Sequence, residues 1–233
     1  MGVLAIIPAR AGSKTIRHKN IQLVGGKPLI VHSIEHGLQS GLIDRVIVST
    51  DSEEYAEIAR SAGAEVPFMR PEEFAQDHST DLETFKHALE WLRENEGYNP
   101  EITVNLRPTF PLRKIEDIDA VITLLKDQEN LDSVRSVVSA LHTPYKMWFT
   151  DDDGILKPII DHDIHDAHNL PRQVLPKTYL QNACIDAVRT SVILEKDSMS
   201  GDTIYGYQME DFFDIDTDQD LRLADEALSQ LVQ

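Results

Sequence analysis

Apolar residues along this chain recur with two periods. Val3–Pro8 is a short unbroken apolar run, the mark of a strand buried on both faces of a parallel sheet. Residues 45–49, 64–68, 102–106, 133–140 and 204–209 read as further strands. Between them apolar positions fall at helical spacing: over 28–40, with Leu29, Ile30, Ile34 and Leu38 on one face; over 52–62, capped by Asp51 or Ser52; over 81–95, capped by Ser79, Thr80 or Asp81; and over 115–126. A loop over 211–218 leads into a last helix at 220–231. Strands alternating with helices predict an α/β fold, a mostly parallel, Rossmann-like sheet with helices on both faces, in a single domain over 1–233. The texture changes after Ala140. Pro144, Pro158, Pro171 and Pro176 interrupt a stretch rich in Asp and His, which predicts an insertion at about 141–182 with hairpin character, serving as a lid or a dimerisation contact.

Composition narrows the partners. The chain has 233 residues and 41% hydrophobic positions, enough for a buried core. Its net charge of −18 repels nucleic-acid backbones and anionic membranes, so neither is an expected partner. The single cysteine, Cys184, excludes an internal disulfide and fits a reducing cytoplasm. Residues 3–8 are too short to span a bilayer, and their flanks lack the basic stretch and cleavage pattern of a signal peptide.

Against this acidic background one loop stands out. Arg10, Lys14, Arg17, Lys19 and Lys27 fall within eighteen residues just after the first strand. Cations gathered where a parallel strand ends suit a polyphosphate, because ligands of such sheets bind beyond the carboxyl ends of the strands. Gly12 lets the backbone approach a ligand, and successive N–H groups can cradle an anion. The spacing matches neither the P-loop nor the dinucleotide fingerprint, and a solvated basic loop is the plain alternative.

The stretch Ile7-Pro8-Ala9-Arg10-Ala11-Gly12-Ser13-Lys14, followed by Ile16 and Lys19-Asn20, resembles the signature of the acylneuraminate cytidylyltransferases, the CMP-sialic-acid synthetase family. The likeness continues through Arg70-Pro71, Asp77 and Ser79-Thr80, through residues 106–113, through Arg172-Gln173 to Pro176-Lys177 with Tyr179 and Asn182, and through Asp214-Ile215-Asp216. The resemblance implies transfer of CMP from CTP to the anomeric hydroxyl of a sialic-acid-like sugar acid, with release of pyrophosphate. It puts Arg10, Gly12, Ser13, Lys14, Lys19, Asn20, Arg70 and Ser79 around the nucleotide, with Lys19 and Arg10 stabilising phosphate charge, and Lys146, Arg172 and Asn182 on the sugar side. It makes Asp214 and Asp216 ligands of a catalytic Mg²⁺; alone, the alternating pair also reads as a solvated acidic turn. A homodimer, with the insertion reaching toward the partner's site, is implied too.

The sequence departs from the family on the sugar side. Arg107 replaces a customary Gln, Ala183 a Gly and Asp186 a Tyr. Arg107 and Asp186 either pair with each other or recognise the acceptor directly, Arg107 gripping its carboxylate. Three histidines at 162, 165 and 168 allow a transition-metal site on a helix face, although a polar lid segment reads better. Two other functions compete: a nucleotide-sugar-dependent glycosyltransferase, which shares the Asp-x-Asp pair, and a non-catalytic nucleotide- or sugar-acid-binding module.

Overall fold

A computed structural model describes residues 2–210 and 212–231; Asp211, where the predicted loop begins, lies outside them. Along the chain run β1 (Val3–Pro8), a ribbon of β2 (Leu23–Val24) and β3 (Lys27–Pro28), α1 (Leu29–Gln39), β4 (Arg45–Ser49), α2 (Glu53–Ser61), α3 (Asp81–Glu96), β5 (Ile102–Asn105), α4 (Ile115–Asp127), β6 (Ser133–Ser139), a hairpin of β7 (Trp148–Thr150) and β8 (Leu156–Pro158), β9 (Tyr179–Arg189), α5 (Thr190–Glu195), β10 (Ile204–Gln208) and α6 (Asp218–Leu231). Six strands form the central sheet in the order β10-β6-β9-β5-β1-β4. All neighbours pair in parallel except β9, which runs antiparallel to both β5 and β6.

The strand β1 explains the layering. Val3 to Ile7 are fully buried, so both faces must be covered. Val3, Ala5 and Ile7 pack with Ile30 and Ile34 of α1, Tyr55 of α2 and Ile118 of α4, while Leu4 and Ile6 pack with Phe85 and Leu89 of α3 and Ile193 of α5. A third cluster joins the two chain ends: Ile16 and Leu29 meet Ile215 and Ala224. Helix starts follow side-chain chemistry. The Ser52 hydroxyl accepts from the Tyr55 N–H, and Thr80 and Glu83 form a reciprocal capping box that begins α3.

Three expectations need correction. Residues 64–68 make no strand; Glu65 alone bridges Ile47, and Pro67 cannot donate to a longer ladder. Leu38 is exposed, because Gly37 occupies the last sheet-facing position of α1, so close that a Cβ there would stand 3.0 Å from Val46. The predicted insertion ends early: it holds the β7–β8 hairpin, but Tyr179 to Asn182 already belong to β9, the longest strand. Buried Asn182 and Asp186 break the apolar pattern there, and the pairing with β6 shifts register between Arg135 and Val137.

At this irregularity Ala183 has φ +58°, a left-handed conformation that costs an L-residue roughly 1–2 kcal/mol. Glycine relieves that strain but loses more entropy on folding. Ala183→Gly is therefore expected to raise stability by about 0.5–1 kcal/mol in urea unfolding; a destabilised variant would contradict the assigned backbone.

Candidate active site

Chain connections leave β1 in both directions, first through α1 to β4 and later to β5 on the other side, and a crevice opens beyond the carboxyl ends of these strands. A cleft of about 430 Å³ occupies it. The loop after β1 forms one wall. The Ala9 N–H donates to Ser49 O (2.9 Å), the Ala11 N–H to the Asp51 carboxylate (2.9 Å), and the Asn20 amide to Arg10 O (3.1 Å). No chain atom lies within 4 Å of where a Cβ on Gly12 would stand, so nothing in the chain itself demands glycine there.

The cleft is lined by Arg10, Lys14, Lys19, Arg70 and Arg107 against two carboxylates, Asp77 and Asp81, an excess of positive charge inside a protein of net charge −18. Asp77 faces the loop and pairs with Arg10 (3.0 Å) and Lys14 (2.5 Å); hydrogen bonds from these two cations hold its carboxyl below the usual range. Arg70 is buried, with its guanidinium donating to Ser49 Oγ (3.0 Å) and Ser49 O (2.5 Å). Burial lowers it to about 10, so it stays charged at neutral pH. Ser13 and Ser79 also line the cleft; Ser79 Oγ donates to Glu73 O and accepts from the Gln76 N–H, which ties it into its own turn.

Lys19 connects the two ends of the sequence. Its ammonium, on a side chain only 13% exposed, donates to Ile215 O (2.8 Å) and to Asp216 Oδ1 (3.3 Å). Ile215 is fully buried between Asp214 and Asp216. Burial, then the nearby Asp216 charge, raise the Asp214 carboxyl above the ordinary value, and the next residue's N–H, that of Ile215, donates to Thr109 O (3.1 Å). Asp214 Oδ1 is buried and has no partner.

On the far wall Arg107 donates through Nη1 to Asp186 (2.9 Å) and Ala183 O (2.8 Å), and through Nη2 to Asp81 (2.5 Å). Burial works against its charge, but Asp81 and Asp186 outweigh burial and hold Arg107 above its ordinary value. Of the two readings, the structure contains the pair. Asp186 is 2% exposed, and its other oxygen lies 4.0 Å from Arg135 Nε.

Three expected sugar-side residues do not line this cleft. Asn182 is buried and accepts from Ser136 Oγ (2.6 Å) and the Cys184 N–H (3.2 Å), which holds β9 against β6. Arg172 spends its guanidinium on the carbonyls of Ala140 and Leu141, and it lines a separate surface cleft with Lys146. In the sequence Asp81 stands out only as a possible helix cap, and Thr109 only as part of the 106–113 segment. Both belong to the cleft wall, and a polar residue directly beyond a strand end or at a helix start was the available signal. The histidine run forms no helix face. His162 and His168 pack on Tyr145 and Trp148, and no group of three metal-ligating side chains occurs among the described residues.

The fold and the cleft define a Rossmann-like α/β protein with a cation-lined crevice at its strand ends. A family model described as cytidylyltransferase matches residues 4–198, and the chain belongs to that family. Post-translational flagellin modification protein B of Campylobacter coli is 30% identical over 228 residues, covering 96% of this chain and 93% of that protein. The N-acylneuraminate cytidylyltransferase of Escherichia coli O18:K1:H7 is 42% identical over 137 residues, covering 59% of this chain and 30% of that protein. A solved CMP:2-keto-3-deoxy-manno-octonic acid synthetase complexed with CTP shares the fold, with a TM-score of 0.73 at 18% identity, covering 99% of this chain and 100% of that one. The chain spans between 30% and 54% of the length of three curated relatives that it matches. Among the described residues no helix is long and apolar enough to cross a membrane.

The Arg107–Asp186 pair carries a stability prediction. Arg107→Gln strands a buried carboxylate and is expected to cost about 3 kcal/mol in urea unfolding. Arg107→Gln combined with Asp186→Asn removes the stranded charge and recovers most of that loss; equal stability of single and double variants would refute the pair.

Proposed function

We propose that this chain transfers CMP from CTP to the anomeric hydroxyl of a sialic-acid-like sugar acid and releases pyrophosphate. The observation that carries this reading is the convergence of five cations on one crevice of a strongly acidic chain, joined through Lys19 to the acidic segment near the C-terminus. In the reaction the acceptor hydroxyl oxygen bonds to the α-phosphorus while the bond from that phosphorus to the pyrophosphate oxygen breaks. Such transfer depends on positioning and charge neutralisation. Arg10, Lys14 and Lys19 exchange their carboxylate partners for phosphate oxygens. Buried Arg70 and the Ser79 turn bound the nucleotide's base and ribose end, and Arg107, held by Asp81 and Asp186, bounds the acceptor.

A divalent cation fits beside this crevice. Asp214 has a buried carboxylate oxygen with no partner and Asp216 is exposed, two hard oxygen donors of the kind Mg²⁺ takes. When bound, the ion would neutralise charge on the phosphate oxygens. A homodimer belongs to the same reading. Leu141, Phe149, Ile155 and Leu156 of the insertion are more than half exposed, an apolar surface that a second copy would cover. That arrangement would carry Lys146 and Arg172 toward the partner's cleft.

Incubation with CTP, Mg²⁺ and a panel of nonulosonic and octulosonic acids, followed by mass spectrometry, tests the activity. The expected products are pyrophosphate and one CMP-sugar. CTP binding without pyrophosphate release would mark a binding module instead. Asp216→Ala is expected to lower kcat by about 10²-fold or more while CTP affinity measured by calorimetry changes by less than about fivefold; turnover unaffected by this change or by chelation would remove Asp216 and the metal from the mechanism.

A further inference from the structure

Arg113 is 5% exposed, and no carboxylate among the described residues pairs with its guanidinium. A buried charge without a counter-ion is costly, and a neutral side chain of the same volume would pack there more cheaply. What the guanidinium supplies is direction. Its Nε donates to Cys184 O (2.9 Å), its Nη1 to Ser33 Oγ (3.1 Å), and its Nη2 to Arg107 O (2.8 Å). Ser33 Oγ also donates to Arg107 O (2.9 Å). Nη1 lies 3.4 Å from His36 Nδ1. Burial, and then the Arg113 charge, pull His36 down to about 3, so its ring is neutral and can present an acceptor nitrogen. The Arg113 Cζ stands 5.7 Å over the Phe110 ring, which adds a cation–π contact.

These bonds bracket the Arg107 ion pair. One holds the backbone of Arg107 itself. Another holds Cys184, whose neighbour Ala183 supplies a carbonyl to Arg107 Nη1 and whose strand carries Asp186 two residues on. The register shift and the left-handed Ala183 replace the regular ladder to β6 with bonds through Ser136 Oγ, and Arg113 adds a second anchor to the same stretch. We infer that Arg113 is a positioning residue: from beneath the cleft it staples α1, the turn after β5 and the irregular part of β9 together, and so fixes the direction in which the Arg107 guanidinium faces the acceptor. The inference rests on the proposed reading of Arg107 as part of the acceptor wall.

Two readouts test it. The Arg107 Nε–H resonance, assigned by its loss in Arg107→Lys, is expected to shift and broaden in Arg113→Lys and, to a smaller extent, in Ser33→Ala, the gentler variant that keeps the fold if Arg113→Lys does not. Steady-state kinetics of Arg113→Lys are expected to show a KM for the sugar acid raised about tenfold or more, with the KM for CTP changed by less than about twofold. On the Arg107→Lys background the same changes should add almost nothing further, because residues that act through one another are not additive. An unmoved resonance overturns the inference whatever the activity. A shifted resonance with KM effects that simply multiply on the Arg107→Lys background also overturns it, since Arg113 would then act on stability alone. A shifted resonance in a protein that turns over no sugar acid upholds the staple and sinks the proposed function.

Discussion

The site depends on a charge contact between segments 196 and 197 positions apart, Lys19 against Ile215 O and Asp216. The cations after β1 and the acidic pair before α6 are each unremarkable surface features when read alone. A short apolar cluster, Ile16 and Leu29 with Ile215 and Ala224, draws the chain's last segment onto the loop and brings ammonium and carboxylate within reach. Hydrophobic burial supplies the association and electrostatics decides what faces the crevice. An acidic protein can in this way hold a positive cavity, because the positive potential is local and the repelling charge lies elsewhere.

The second organising feature is the handling of buried guanidinium groups. Arg70, set against the end of β4, and Arg107 and Arg113, in the turn after β5, each solve their desolvation differently. Arg70 takes a hydroxyl and a carbonyl of Ser49, Arg107 takes two carboxylates and a carbonyl, and Arg113 takes neutral acceptors only. Each fork fixes backbone as well as side chains, which rigid planar donors do better than lysine can. The three together hold the floor and far wall of the cleft, whereas the loop wall carries the more accessible charges Arg10 and Lys14, paired with Asp77.

Legibility followed burial pattern. β1, α1 and α4 were plain in the sequence, since strands and helices that bury one period of side chains must show that period. β9 was not, although it lies in the middle of the sheet. Its Asn182 meets Ser136 and one oxygen of its Asp186 meets Arg107, both far away in sequence, while Asp186 Oδ1 is buried without a hydrogen-bond partner, and its backbone is irregular at Ala183. The candidate 64–68 strand shows the opposite error: its local composition suits a strand, yet only Glu65 pairs. At the site, Arg10, Lys14 and Lys19 of the cations after β1 and the Arg107–Asp186 departure could be read directly, whereas Arg17 and Lys27 do not line the cleft. The roles of Asp77, Asp81, Thr109 and Arg113 could not, because each is defined by a neighbour that only folding supplies.

The sequence by itself determined the layered α/β architecture, the position of the basic loop at a strand end and the family to which the chain belongs, because these rest on local periodicity and on residues adjacent along the chain. The tertiary structure alone decided that Arg107 pairs with Asp186 instead of standing free, that Asn182 is spent in the core, and that Arg172 and Lys146 lie away from the cleft within one chain. The physical reason is that hydrogen bonds and ion pairs act over about 3–4 Å in space, a distance that chain order does not encode.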